Sequence, residues 1–185
     1  MYKILICTSI AFSAIYLINI IRFIFGLTQK DNIVKNNKSL PTSIIIAVKN
    51  GESSISRMLD NLLKQSYSGD MEFIIVDDES NDNTKEIINR YMIKDPRFKY
   101  VSSIHGESFL RHKKKALDAG IKCAQHEHLL FTDIDCIIHS KWVKSMSECF
   151  SDNIDYIVGH TYILDRKSIL NKFQRVDLFM LLFAA

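Results

Sequence analysis

The sequence predicts an α/β chain: a mostly parallel sheet with helices on both faces, preceded by one N-terminal transmembrane helix. Three observations carry this. Short β-branched apolar runs alternate with amphipathic stretches, the pattern of βαβ units. Acidic clusters close two of those runs, Asp77-Asp78 and Asp133-Ile134-Asp135, at the strand ends where open sheets bind ligands. Finally, Ile4 to Leu27 is apolar almost throughout, with Asn19 and Arg22 its only strongly polar residues.

Taken in order, the first element is that apolar stretch. The Ile4–Ile21 run alone makes a helix roughly 27 Å long, close to a bilayer's hydrocarbon thickness. A cleaved signal peptide needs a basic start, a shorter apolar run and a small-x-small cleavage site. The length, the Ile content and the following Phe23-Ile24-Phe25 favour an anchor over residues 1–28. Arg22 can snorkel towards headgroups. Lys30, Lys35 and Lys38 outweigh Lys3, which places the remainder on the cytoplasmic side of the membrane. The Asn/Lys-rich residues 29–41 read as a linker.

Thr42–Val48 (TSIIIAV) follows Pro41 and predicts a buried strand, then a turn over Lys49-Asn50-Gly51-Glu52. Ser53 or Ser54 can cap a helix over Ile55–Gln65, with Ile55, Met58, Leu59, Leu62 and Leu63 on one face. Met71–Val76 (MEFIIV) predicts a second strand and residues 83–92 a helix, with Asp82 as its cap. Phe98–Val101 predicts a third strand, residues 109–124 a basic helix, and His128–Thr132 (HLLFT) a fourth strand. Trp142–Phe150 reads as a helix and Ile154–Val158 as a further strand.

Composition narrows the function. Of 185 residues, 24 are Lys or Arg and 21 Asp or Glu, a net charge of +3 that gives no general drive towards nucleic acid. Hydrophobic residues at 47% exclude a disordered chain. The four cysteines Cys7, Cys123, Cys136 and Cys149 show no C-x-x-C spacing, so they read as free thiols in a reducing compartment.

The acidic pairs carry the chemistry. Asp133 and Asp135 lie at i and i+2 after an apolar run. Two carboxylates within about 4 Å repel by roughly 1–4 kcal/mol, and a divalent cation removes that cost. Their hard oxygens suit Mg²⁺ or Mn²⁺, which also bind phosphates. A helix cap beside a solvated acid is the plain alternative. At Asp77-Asp78 one acid can accept a hydrogen bond from a nucleobase N–H, and a turn is again the alternative. Arg111-His112-Lys113-Lys114-Lys115 opens a helix with cations that oppose its dipole, which a phosphate would offset; otherwise it is a solvated face.

Together these segments resemble a known family. Val76-Asp77-Asp78-Glu79-Ser80-Asn81-Asp82-Asn83-Thr84 resembles the VDD-x-S-x-D-x-T signature of the GT-A fold glycosyltransferases of family 2. Residues 43–52 resemble its first strand and N-E-E turn, residues 116–121 (ALDAGI) its A-L-N-A-G-I helix, and residues 131–136 (FTDIDC) its F-x-D-A-D motif, with Trp142 after it. The resemblance implies transfer of a sugar from a nucleoside-diphosphate donor, UDP-sugar favoured, with inversion and a divalent metal. It implies that Asp78 bonds the base, with Asp77 in the same cluster, and that Asn50 and Glu52 line the nucleotide pocket. Lys113 would lie near the donor, Asp133 would contact the nucleotide sugar, and Asp135, with Asp133, would hold Mg²⁺ or Mn²⁺. Four positions depart from the pattern: Lys49 replaces an aromatic, Gly51 an acid, His112 a Gly and Asp118 an Asn.

On this basis residues 42–185 are expected to form the nucleotide-sugar-binding domain, incomplete at its C-terminus, with the general base beyond Ala185. Asp177 is a spare acid that reads as solvated. The acceptor is expected to be a lipid or a polysaccharide. Two other readings stand beside this one. The strand followed by Asp133-x-Asp135 is similar to the nucleophile motif of haloacid-dehalogenase-type phosphatases, although Ile137 stands where that family has Thr or Val. A non-catalytic, membrane-tethered nucleotide-binding module is the other.

Overall fold

The computed structural model describes residues 2–28, 38–151, 154–159, 161–164 and 168–184. The chain divides into two compact units, one of residues 34–157 and one of residues 1–33 with 158–185.

The larger unit is built on four parallel strands: β1 (Thr42–Val48), β2 (Met71–Asp77), β3 (Phe98–Ser102) and β4 (His128–Phe131). Their order is β3-β2-β1-β4. Thr42 pairs with Met71 on one side and His128 on the other, and Phe73 pairs with Phe98. The chain winds outwards from β1 to β3 and then returns to the other side of β1. That reversal puts a switch point at the carboxyl ends of β1 and β4, where open sheets bind ligands.

Strand periodicity of two divides the apolar residues between two faces. Ile44, Ile46 and Val48 of β1 with Phe73 and Ile75 of β2 form one core. It packs against α2 (Ile55–Leu63), α3 (Thr84–Lys94) and α5 (Trp142–Ser147), through Met58, Leu62, Ile88 and Val143. Ile45, Ile74 and Val76 form the other core, against Ala116 and Ala119 of α4 (His112–Cys123). Helices therefore cover both faces, as expected. Gly120 sets the approach of α4: a Cβ there would stand 2.5 Å from Ile45 Cγ2.

Three expectations change. Ile154–Val158 is not a strand. Ser151 and Ile154 form an isolated antiparallel bridge instead, so this stretch folds back on itself rather than adding to the sheet. Ser54 precedes α2 without a side-chain cap bond: its backbone is already in the helical region, at φ −119° and ψ −26°, rather than in the extended conformation that an N-cap residue usually takes. The basic helix begins at His112 rather than Phe109, after a turn in which Leu110 N donates to Glu107 O.

The smaller unit holds α1 (Tyr2–Thr28) and α6 (Ile169–Ala184). Among the described residues, no helix is long and apolar enough to cross a membrane. The span expected over residues 1–28 is thus not supported here. Most of the expected linker, residues 29–37, lies outside the described residues.

Candidate nucleotide and metal site

Parallel strands in register bring their carboxyl ends to one edge. There the structure gathers Lys49 and Asn50 after β1, Asp77 and Asp78 at the end of β2, and the Asp133–Asp135 segment after β4.

The two acids of the β2 cluster differ. Asp77 is the last residue of its strand and is 5% exposed. Its Oδ2 accepts from Tyr100 OH at 3.0 Å and its Oδ1 from Ser80 N at 3.1 Å. Burial, and then the Asp77 carboxylate, push the Tyr100 phenol up to about 12. Asp77 is therefore engaged as an internal brace. Asp78 donates its own N–H to Val48 O at 2.8 Å, which fixes its backbone to β1. Its carboxylate lies 3.8 Å from Lys49 Nζ, a separation looser than a direct hydrogen bond. Of the two, Asp78 is the acid available to a ligand.

Asn50 and Glu52 are engaged with the loop that follows Asp78. Asn50 N donates to Ser80 Oγ at 2.8 Å and Asn50 Oδ1 accepts from Asn81 N at 2.9 Å. Gly51 N donates to Thr84 Oγ1 at 2.8 Å and Glu52 N to Asp82 Oδ2 at 3.0 Å. The Glu52 carboxylate accepts from Asn83 Nδ2 at 2.7 Å and from Asn83 N at 3.3 Å. These bonds clasp the 50–52 turn to residues 80–84. Asn50 and Glu79 sit at φ 51° and 57°, in the left-handed region that non-glycine residues adopt at a cost. The clasp holds that strained geometry in place. Asn83 rather than Asp82 takes the cap position of α3, and Asp82, one residue earlier, accepts from Thr84 N through its Oδ1 at 3.1 Å. The Thr84 hydroxyl, first among its partners, holds its carboxyl below the usual range.

Lys113 of α4 is ion-paired with Asp133 Oδ1, and both side chains are 57% exposed. The two side chains meet across 20 residues of sequence. Asp133, Ile134 and Asp135 alternate between solvent and core: the two acids are exposed while Ile134 packs on the larger core. Cys136 N donates to Asp133 O at 3.2 Å and closes the turn. Asp118, where the motif has Asn, accepts from Glu107 N at 2.8 Å and pairs with Lys122 at 3.1 Å. That backbone N–H, then Lys122, keeps its carboxyl below the usual range. His112, where the motif has Gly, sits at φ 53°. This is the backbone that makes Gly the natural residue there.

Among the described residues, no group of three or more His, Cys, Asp or Glu side chains could hold a metal by itself. Asp133 and Asp135 offer two exposed hard oxygen ligands on one turn. That set fits a cation that takes its remaining ligands from water and phosphate, as Mg²⁺ does. Sequence reasoning missed Tyr100 as the partner of Asp77, and the use of Ser80, Asn81 and Asn83 as donors and acceptors of the clasp. It also missed Arg57, which reaches the Asp135 backbone. Turn-forming residue types were the only signal for the clasp.

The family described as glycosyl transferase family 2 matches residues 43–178. A poly-β-1,6-N-acetyl-D-glucosamine synthase of Staphylococcus epidermidis is 32% identical over 137 residues, 73% of this chain and 32% of that protein. An Escherichia coli protein, UDP-Glc:alpha-D-GlcNAc-diphosphoundecaprenol beta-1,3-glucosyltransferase WfgD, is 30% identical over 132 residues, 71% of this chain and 49% of that one. The chain spans about a third to a half of the length of these relatives. A mannosyltransferase from Pyrobaculum calidifontis, solved with GDP-Man and Mn²⁺, superposes with a TM-score of 0.64 at 22% identity, over 75% of this chain and 41% of that one. At that identity the likeness is one of fold.

Proposed function

From the premise that the chain belongs to glycosyl transferase family 2, we propose that it binds a nucleoside-diphosphate sugar and serves its transfer to an acceptor hydroxyl. One observation carries the proposal: Asp78, Asp133 and Asp135 lie on a single sheet edge, with Lys49 and Lys113 beside them. A UDP-sugar is the favoured donor, because a relative's name specifies UDP-Glc. The same name specifies a lipid diphosphate-linked acceptor, and the synthase's name a polysaccharide product. A lipid or polysaccharide acceptor is therefore proposed, and inversion with it, as the resemblance to the family implies.

In this reading Asp78 accepts a hydrogen bond from the base. Asn50 and Glu52 keep the loop beyond Asp78 in register, and Asp77 serves the same end through Tyr100 and Ser80. Asp133 and Asp135 would hold Mg²⁺ or Mn²⁺. The cation would supply Lewis-acid stabilisation of the charge that develops on the departing diphosphate. Lys113 exchanges its Asp133 partner for a diphosphate oxygen, so its charge remains compensated in both states. Inverting transfer also needs a general base on the acceptor hydroxyl, and no residue of this chain is given that role. Asp177 in α6 is exposed, in keeping with a solvated acid.

We also place the chain at a membrane through α1. Its side chains Ile10, Phe12 and Tyr16 are 63%, 73% and 69% exposed, and lipid would cover them. Carbonate extraction and protease protection of the expressed protein test this, together with the cytoplasmic side proposed for the larger unit.

The donor site is tested by titrating the purified chain with UDP, GDP and CDP, in Mn²⁺ and in EDTA. Binding of one nucleotide, strengthened by Mn²⁺ and reduced to the EDTA level in Asp135→Ala, is the expected result. A folded protein that binds none of the three at millimolar concentration would refute the proposal.

A further inference from the structure

Arg57 stands on α2, outside every motif that resembles the family. Its Nη2 donates to Asp135 O at 3.1 Å across 78 residues of sequence. A bond from a guanidinium is charge-assisted and stronger than one between neutral groups. The segment it grips needs such support. Residues 132–141 contain no helix or strand and leave β4, an edge strand paired only with β1 among the described residues.

Residues on and just after α2 hold this segment at successive points. Gln65 Nε2 donates to His139 O at 2.9 Å and Ser66 N to Ser140 O at 2.7 Å. Gln65 Oε1 accepts from Val143 N at 3.1 Å, at the start of α5. Those bonds fix the far end. At the near end, Lys113 holds the Asp133 side chain and Ile134 packs on the core. Arg57 adds the hold on Asp135 itself. Fixing a carbonyl oxygen fixes its peptide plane, so that rotation about the same residue's Cα–C bond is what remains to set the direction of its Cα–Cβ bond.

We propose that Arg57 is a positioning residue: it orients Asp135 for the divalent cation by anchoring that residue's carbonyl to α2. The inference rests on the reading of Asp133 and Asp135 as the metal acids. Arg57 is exposed, whereas its neighbours Met58 and Leu59 are fully buried. Substitution at 57 therefore leaves the core of α2 untouched.

A plain electrostatic role predicts the opposite sign. A positive charge close to the cation site repels the cation, so its removal would tighten Mn²⁺. Loss of an anchor loosens Mn²⁺. The experiment titrates Mn²⁺ at a fixed, subsaturating UDP concentration into wild type, Arg57→Met, Arg57→Lys and Asp135→Ala, following nucleotide binding by calorimetry. The expected result is that Arg57→Met needs about tenfold more Mn²⁺ for half-saturation, the scale of one charge-assisted hydrogen bond. Its UDP affinity in EDTA stays at the wild-type value. Arg57→Lys, which keeps the charge and a donor, recovers part of the loss.

Unchanged or tighter Mn²⁺ dependence in a folded Arg57→Met overturns the positioning role, while the metal reading stands if Asp135→Ala still abolishes the Mn²⁺ effect. Should Arg57→Met fail to fold, Arg57→Gln carries the same comparison. UDP binding that ignores Mn²⁺ in wild type overturns the metal reading and this inference with it.

Discussion

Replacing Glu52 by Ala removes both carboxylate oxygens that hold Asn83, at 2.7 Å from its Nδ2 and 3.3 Å from its backbone N–H. Each bond is exposed, which sets its worth at the low end of the usual ~0.5–1.5 kcal/mol. The anion also sits at the start of α3, where it is worth a further ~0.3–1 kcal/mol. The sum is about 1–2 kcal/mol, a fall in Tm of roughly 4–8 °C for a domain of this size. If Glu52 acts through the clasp, Glu52→Ala lowers Tm by that amount and weakens UDP through the loosened Asp78 loop. Glu52→Gln keeps an acceptor for Asn83 Nδ2 and recovers most of both effects. Differential scanning calorimetry beside UDP titration reads the two quantities on one sample. A Tm identical to wild type together with a large loss of UDP affinity would refute the clasp and make Glu52 a direct nucleotide contact.

Two further predictions concern backbone strain and a buried charge. His112 at φ 53° carries roughly 1–2 kcal/mol of left-handed strain; His112→Gly keeps or raises stability, by up to about 1 kcal/mol after the entropy of the unfolded glycine, whereas the β-branched His112→Val lowers it. Equal urea midpoints for His112→Val and wild type would disprove the strain. Glu72 is 4% exposed and ties Ser43, Gln125 N and Lys99 together at the sheet's other end. Burial pushes its carboxyl up, but Lys99, Ser43 and the Gln125 N–H together hold it below its usual 4.5. Its contribution is thus complete above about pH 4.5 and is lost as pH falls through the lower folded value. Lys99→Met costs about 2 kcal/mol at pH 7, less than the loss of one partner from a fully buried pair, because Lys99 is 33% exposed. It also moves the onset of acid unfolding to higher pH, and an unmoved onset would sink this account.

The sheet and its flanking helices were legible because each rests on local periodicity. Ile44 and Ile46 alternate with Ile45 between the two cores, and Met58, Leu59 and Leu62 recur at helical spacing. Where local signals ran out, the structure differed. IDYIV has strand composition, but a strand exists only if a neighbour accepts its hydrogen bonds, and residues 151 and 154 bridge to each other instead. Ser54 has a capping side chain, yet its backbone is helical at φ −119° and ψ −26°, not the extended geometry that capping usually uses.

The sequence by itself determined the order of strands and helices, the acids at the strand ends and the family they signal. All of these follow from residue type and spacing along one segment. Only the tertiary structure decided which acids are free. Asp77 and Asp78 are adjacent and chemically identical, and their difference arises because Tyr100 of β3 and Ser80 lie against one while Lys49 lies near the other. The same holds for Asn50 and Glu52, whose partners lie about 30 residues away, and for Arg57 and Asp135, which meet 78 residues apart. Hydrogen-bond partners act over about 3 Å in space, and the distance between them in space is set by how the sheet brings its strand ends together.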